Sequence, residues 1–264
     1  MKLIWTFCLI FVLFFCCAES NANAGELNQR LQNFPQWEKL TSVKPAVGDL
    51  IYPQWMKGEW EVKSQMVDLV APLAPEIVTP GFESNRQYLD QPVNFKVRFT
   101  NGETAVSRFN SGFLSKIIPF KDNKSTAIIA DRAYNSLNLA RAILGNDTVK
   151  AVKVDPDSPN RQITFLQGER QLVSIVKSRA TETTTDGRFI TSEVFQQLFK
   201  GSSRPYLNSV ESTTAYRRLS TSNPAIEANQ VTAVYLSPQD PDYFKAAKGP
   251  VALYRYRLEF FPKK

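Results

Sequence analysis

Apolar and polar residues alternate with period two over most of this chain, the spacing of strands buried on one face. The pattern is plainest where Val93, Phe95, Val97 and Phe99 interleave with Asn94, Lys96, Arg98 and Thr100. It predicts further strands over residues 59–69, 103–109, 127–130, 149–154, 162–166, 170–181, 188–199, 209–219, 229–236 and 251–261. Between them lie turn-formers, such as Asp155-Pro156-Asp157-Ser158-Pro159-Asn160 and Thr185-Asp186-Gly187. Asn101-Gly102 has the composition of a two-residue hairpin turn. The period changes to that of a helix twice. Residues 26–40 place Leu27, Leu31, Phe34, Trp37 and Leu40 at helical spacing broken by Pro35, which predicts a short helix, a kink and a segment laid across the outside of the fold. Asp131 is a natural N-cap for residues 132–144, with Gly145 as the stop.

Roughly ten strands with one internal helix argue for an antiparallel all-β fold, most economically a closed barrel. Between the first two long strands runs an apolar, proline-rich loop from Val70 to Pro92. Three readings of it stand: a lid over a cavity mouth, with Leu73, Ile77, Val78 and Phe82 closing it, a contact for a membrane or partner, or a plain cover packed on the sheet. Domain organisation follows as residues 1–24, an N-terminal helical or extended segment over 25–50, and one β-barrel domain over 51–264.

Residues 1–24 look like a signal peptide: Lys2, an apolar run from Leu3 to Ala18, and Ala22-Asn23-Ala24 as a cleavage site. An uncleaved anchor is the alternative. All three cysteines, Cys8, Cys16 and Cys17, fall in that stretch, and the chain has no histidine. These counts exclude Ser-His-Asp and Cys-His catalysis, ordinary zinc sites and histidine-ligated haem in the chain that follows. Carboxylate, lysine or tyrosine chemistry stays open. The formal net charge of +7 is spread along the chain, so a solvated surface explains it, with contact to anionic lipid at a membrane surface or to an acidic partner as alternatives. Nucleic acid is not an expected partner, and no cofactor is implied.

Several motifs in order, Ala130-Asp131-Arg132-Ala133-Tyr134-Asn135, Ser158-Pro159-Asn160-Arg161-Gln162, Thr191-Ser192-Glu193-Val194-Phe195 and Tyr235-Leu236-Ser237-Pro238-Gln239-Asp240 among them, resemble a family of unknown function found in cyanobacteria and plant chloroplasts. The resemblance implies a thylakoid-lumen or periplasmic address and no activity. Gly58-x-Trp60 before the first long strand is similar to the opening of lipocalin-like barrels, where the indole plugs one end. The fold expected is therefore an antiparallel lipocalin-like (calycin-type) barrel of about eight to ten strands, and a core Trp in an ordinary sheet is the plainer alternative.

Strands 188–199 and 209–219 carry polar groups on both faces, which a sealed apolar core does not tolerate and a wet or ligand-filled interior does. Arg179, Glu193, Glu211, Tyr216 and Arg217 are candidate pocket groups, or else members of outward cross-strand ion pairs. Arg255 or Arg257 is a candidate to stack on Trp60, or else belongs to a surface pair. Phe82 from the loop, with Arg132 and Tyr134 from the helix, completes the candidate ligand-binding set; no catalytic or metal-ligating residue is expected. Asp155-x-Asp157 and Asp240-x-Asp242 read as turns rather than calcium sites. The function these features suggest is an exported binding module for a small apolar or amphipathic ligand, such as a lipid, carotenoid or tetrapyrrole. Alternatives are a non-catalytic assembly or interaction factor for a photosynthetic membrane complex, and an isomerase or lyase using Glu193, Glu211 and tyrosine.

Overall fold

The computed structural model describes residues 25–79, 81–103, 126–201, 205–246 and 249–263. The expected signal segment and most of the strand expected over 103–109 lie outside them. The order of elements is α1 (Glu26–Gln32), β1 (Lys44–Pro45), β2 (Ile51–Tyr52), β3 (Gly58–Val70), α2 (Phe82–Asn85), β4 (Pro92–Glu103), β5 (Thr126–Ala130), α3 (Arg132–Leu144), β6 (Val149–Asp155), β7 (Ser158–Leu166), β8 (Gln171–Thr183), β9 (Phe189–Lys200), β10 (Tyr206–Arg218), β11 (Ile226–Leu236), α4 (Tyr243–Ala246) and β12 (Ala252–Pro262). The strands form one antiparallel sheet along the path β2-β5-β4-β3-β12-β11-β10-β9-β8-β7-β6, with β1 paired to β8 off that path. It is the all-β, barrel-like fold that the alternation predicts. The strand number is higher because β1 and β2 have two residues each, too few for alternation to be seen.

The sheet curls into a half-barrel. Tyr52 proves which face is inside, because its ring meets Phe99 of β4 at 4.8 Å and Phe189 of β9 at 5.9 Å, strands far apart along the path. Among the described residues β2 and β6 do not pair with each other. Instead α3 spans the gap, packing on β4 at one edge and on β6 and β7 at the other. The carboxamide of Asn135 takes the place of a strand partner for Arg98: its Oδ1 accepts from the Arg98 amide at 2.6 Å and its Nδ2 donates to the Arg98 carbonyl at 3.1 Å. At the other edge Ser136 Oγ donates to Gln162 Oε1 at 3.1 Å. The capping of this helix is as predicted, with Asp131 Oδ1 accepting from the Tyr134 amide at 3.0 Å and Gly145 at the C-terminus.

One end of the interior is filled by Met56, Trp60, Val62, Val97, Phe99, Ile128, Ile226, Ala228, Leu258 and Phe260. The Trp60 indole donates to the Met56 carbonyl at 2.8 Å. On the outer face, α1 and the chain to Leu40 lie across the sheet as a strap. Trp37 covers Val231, Ala233 and Leu253, and Leu27 and Leu40 cover Ile190 and Ala215. Glu182 Oε2 accepts from the Leu27 amide at 2.9 Å and caps the helix.

One expectation is corrected. Asn101-Gly102 makes no hairpin turn, for both residues continue β4 opposite Ile128 and Ala127. A Cβ at Gly102 would stand 2.3 Å from Ile129 Cδ1, so a larger residue there displaces the Ile129 side chain. The proline-rich loop is seated on the sheet: Ile77 packs with Leu236, Ala246 and Val251, and Phe82 with Met66, Leu69, Ala252 and Tyr254.

Candidate functional site

The middle of the concave face is polar, as register dictates. Thr191 and Glu193 of β9 stand opposite Thr214 and Ser212 of β10 and opposite Thr181 and Arg179 of β8, all pointing inward with Tyr216 and Phe189. Thr191, Glu193, Thr214, Asn160 and Thr164 are buried. Into this band α3 delivers Arg132. Its Nη2 donates to Glu193 Oε1 at 2.8 Å, and Arg179 Nη2 stands 3.1 Å from the same oxygen. Asp49 Oδ1 lies 3.6 Å from Arg132 Nε.

Arg179 is held further by the Gly48 carbonyl, which accepts from Nη1 at 3.0 Å, and by Asn160 Oδ1. Gly48 has φ +62°, a left-handed conformation that a glycine adopts without strain. The Nε–H groups of both arginines are buried without an acceptor among the described residues. Burial, the largest influence, pulls the Arg179 guanidinium below its ordinary value, and Arg132 adds to that while Glu193 opposes it. For Arg132 burial is again the largest single influence and lowers it, while Glu193, Tyr52 and Asp49 together leave the group raised. Beneath them burial, then Tyr216 and Glu193, push the Tyr52 phenol well above its usual range.

A cleft of about 410 Å³ opens beside Arg179. It forms where β1 takes over the edge of β8, Lys44 opposite Arg179, past the bulge at Lys177. Arg179, Asp49, Lys44 and Thr181 line it on the polar side; Val47, Leu50 and Ile51 line it on the apolar side.

The fold thus brings Arg132, Arg179 and Glu193 together, with Tyr216 packed on Phe189 and Tyr52 nearby. It separates the rest of the expected set. Trp60 is in the end plug and Phe82 under the loop. Tyr134 donates to Glu59 Oε1 at 2.7 Å, with the Arg98 guanidinium 4.4 Å above its ring; Glu59 and Arg98 face away from the interior, on the register opposite to Trp60 and Val97.

Glu211 pairs in register with Val194, not Glu193, and points to the outer face under the strap. There Arg30 Nη2 donates to its Oε1 at 2.8 Å and Tyr235 to its Oε2 at 3.1 Å. Glu193 and Glu211 therefore cannot act as a carboxylate pair. Arg217 and Arg257 are exposed partners of Glu227, at 2.8 and 3.5 Å. Trp60 carries no arginine from β12, for Arg257 is engaged outside and the Arg255 guanidinium sits 5.4 Å from the Phe34 ring.

Sequence reasoning missed Asp49, Gly48, Asn160 and Lys44. Asn160 belongs to the Ser158–Gln162 motif, which was the one available signal. Both Asp-x-Asp runs are tight turns, Asp155 Oδ1 accepting from the Asp157 amide at 3.0 Å and Asp240 Oδ1 from the Asp242 amide at 2.9 Å.

A family model described as a domain of unknown function (DUF6816) matches residues 45–264, the strands and α3 but not the strap. No curated protein and no solved structure matches the chain.

Proposed function

The chain belongs to the DUF6816 family, and we propose that its half-barrel is a binding module for a small amphipathic ligand seated against the polar band of the concave face. The observation that carries this reading is the Arg132–Glu193–Arg179 cluster, buried inside the half-barrel beside an open cleft. Buried ion pairs give little net stability over well-packed apolar side chains, so a cluster kept at that cost points to recognition. Perturbed, partly buried charges that converge on a cleft of this size are what a small-ligand site requires. The row of buried hydroxyls favours a ligand with a polar end, a lipid or a tetrapyrrole, over a carotenoid. The address proposed with it is the thylakoid lumen or periplasm, for which the pattern of residues 1–24 is the support.

Mass analysis and absorbance of organic extracts from the protein, purified from its native membrane-associated fraction, test the reading. A co-purifying amphipath in fixed ratio is expected. Protein that carries none, and whose melting temperature no amphipath raises, overturns it.

A second reading, an interaction factor for a photosynthetic membrane complex, draws on exposed apolar side chains: Leu139, Ile143 and Leu144 on α3, and Phe244, 86 % exposed. Crosslinking in thylakoids that enriches no membrane complex counts against it. The opposed directions of Glu193 and Glu211 remove the paired-carboxylate basis of an isomerase or lyase.

A further inference from the structure

We infer that the cleft beside Arg179 is a carboxylate seat, taking the head group of an amphipathic acid whose apolar part lies along Val47, Leu50 and Ile51. This rests on the binding reading above and names the head group. The charge count comes first. Arg132, Arg179 and Lys44 stand against Asp49 and Glu193, three cations against two carboxylates. One monoanion balances the site. A dianion would overfill it and meet the Asp49 carboxylate on the cleft wall.

Hydrogen-bonding capacity points the same way. The two guanidinium groups share one oxygen, Glu193 Oε1, and Asp49 is too far from Arg132 Nε for a hydrogen bond. Each arginine keeps an Nε–H without an acceptor among the described residues. The guanidinium fork is the side-chain group best matched to a planar carboxylate, and Arg179 stands on the cleft wall with Lys44 beside it. Val47 and Ile51 are 65 % and 51 % exposed at the cleft mouth. An apolar tail leaving the head group would cover both.

Full-length protein is titrated at neutral pH with decanoate, decanol and inorganic phosphate, by calorimetry, in the parent chain and in Lys44→Glu and Arg179→Gln. Lys44 is an exposed residue, so its reversal changes the charge count without opening the buried cluster, and a matched melting temperature verifies that it is folded. Saturable one-to-one decanoate binding is expected, about tenfold tighter than decanol and about tenfold weaker in Lys44→Glu. Arg179→Gln is expected to lose it further, and raised salt to weaken it. Equal binding of decanoate and decanol overturns the carboxylate seat and leaves the binding module standing. Phosphate that competes with decanoate at equal concentration overturns the tailed ligand in favour of a free-anion site. Failure of both decanoate and decanol to bind overturns this inference and counts against the binding reading as well.

Discussion

Glu211 is 1 % exposed, and its oxygens are met by Arg30, Tyr235 and Thr213. Removing one member of such a pair strands the other in a dry site, so Glu211→Ala is expected to cost about 3–5 kcal/mol in urea unfolding, while Arg30→Met with Glu211→Leu costs far less. The tyrosines make a second prediction. Burial pushes Tyr216 and Tyr256 up to about 12, from about 10 in the unfolded chain. A folded value above the unfolded one means stabilisation that is complete below about pH 10 and lost as pH rises towards 12. Phenolate absorbance against pH is therefore expected to show these side chains ionising only as the protein unfolds. A full set titrating near 10 with native circular dichroism overturns that.

For the elements, periodicity was a good guide wherever a strand was long and one-sided, because burial on one face forces period two. It could not reveal what lies beyond one strand. Gly102 reads as a turn until Ile129 is seen crossing over it. The loop from Val70 to Pro92 reads as a lid or a cover until its contacts are known. As a cover, it predicts that Phe82→Ala, about 3–5 kcal/mol by loss of a buried aromatic, lowers the melting temperature by several degrees. Asn135→Ala deletes both bonds to the Arg98 backbone. It is expected to cost about 1–3 kcal/mol and to speed hydrogen exchange of the Arg98 amide. Unchanged exchange there would show that α3 does not hold the edge of β4.

At the scale of the whole molecule, the half-barrel has a capped end, a polar concave band bridged by α3, and an outer face covered by the strap. A chain starting at Ser42 uncovers Val231, Ala233, Leu253 and Ile190 and strips Glu211 of Arg30. It is expected to melt lower and to self-associate in light scattering; a monodisperse chain of unchanged melting temperature would mean the strap holds nothing. The β class, the positions of the long strands among the described residues, the capped helix and the outside course of residues 26–40 were legible in the sequence. Each is written in neighbours a few residues apart, through alternation, caps and turn-formers. So were the chemistries barred by the absence of histidine. Which polar residues meet was decided only by tertiary structure. Glu193 and Glu211 look alike in sequence, yet register sends one inward to Arg132 and Arg179 and the other outward to Arg30. Asp49 and Lys44 join the site only because β1 takes up the edge of β8. A site assembled from segments far apart leaves no periodic trace, because its spacing is set by the curl of the sheet and not by the chain.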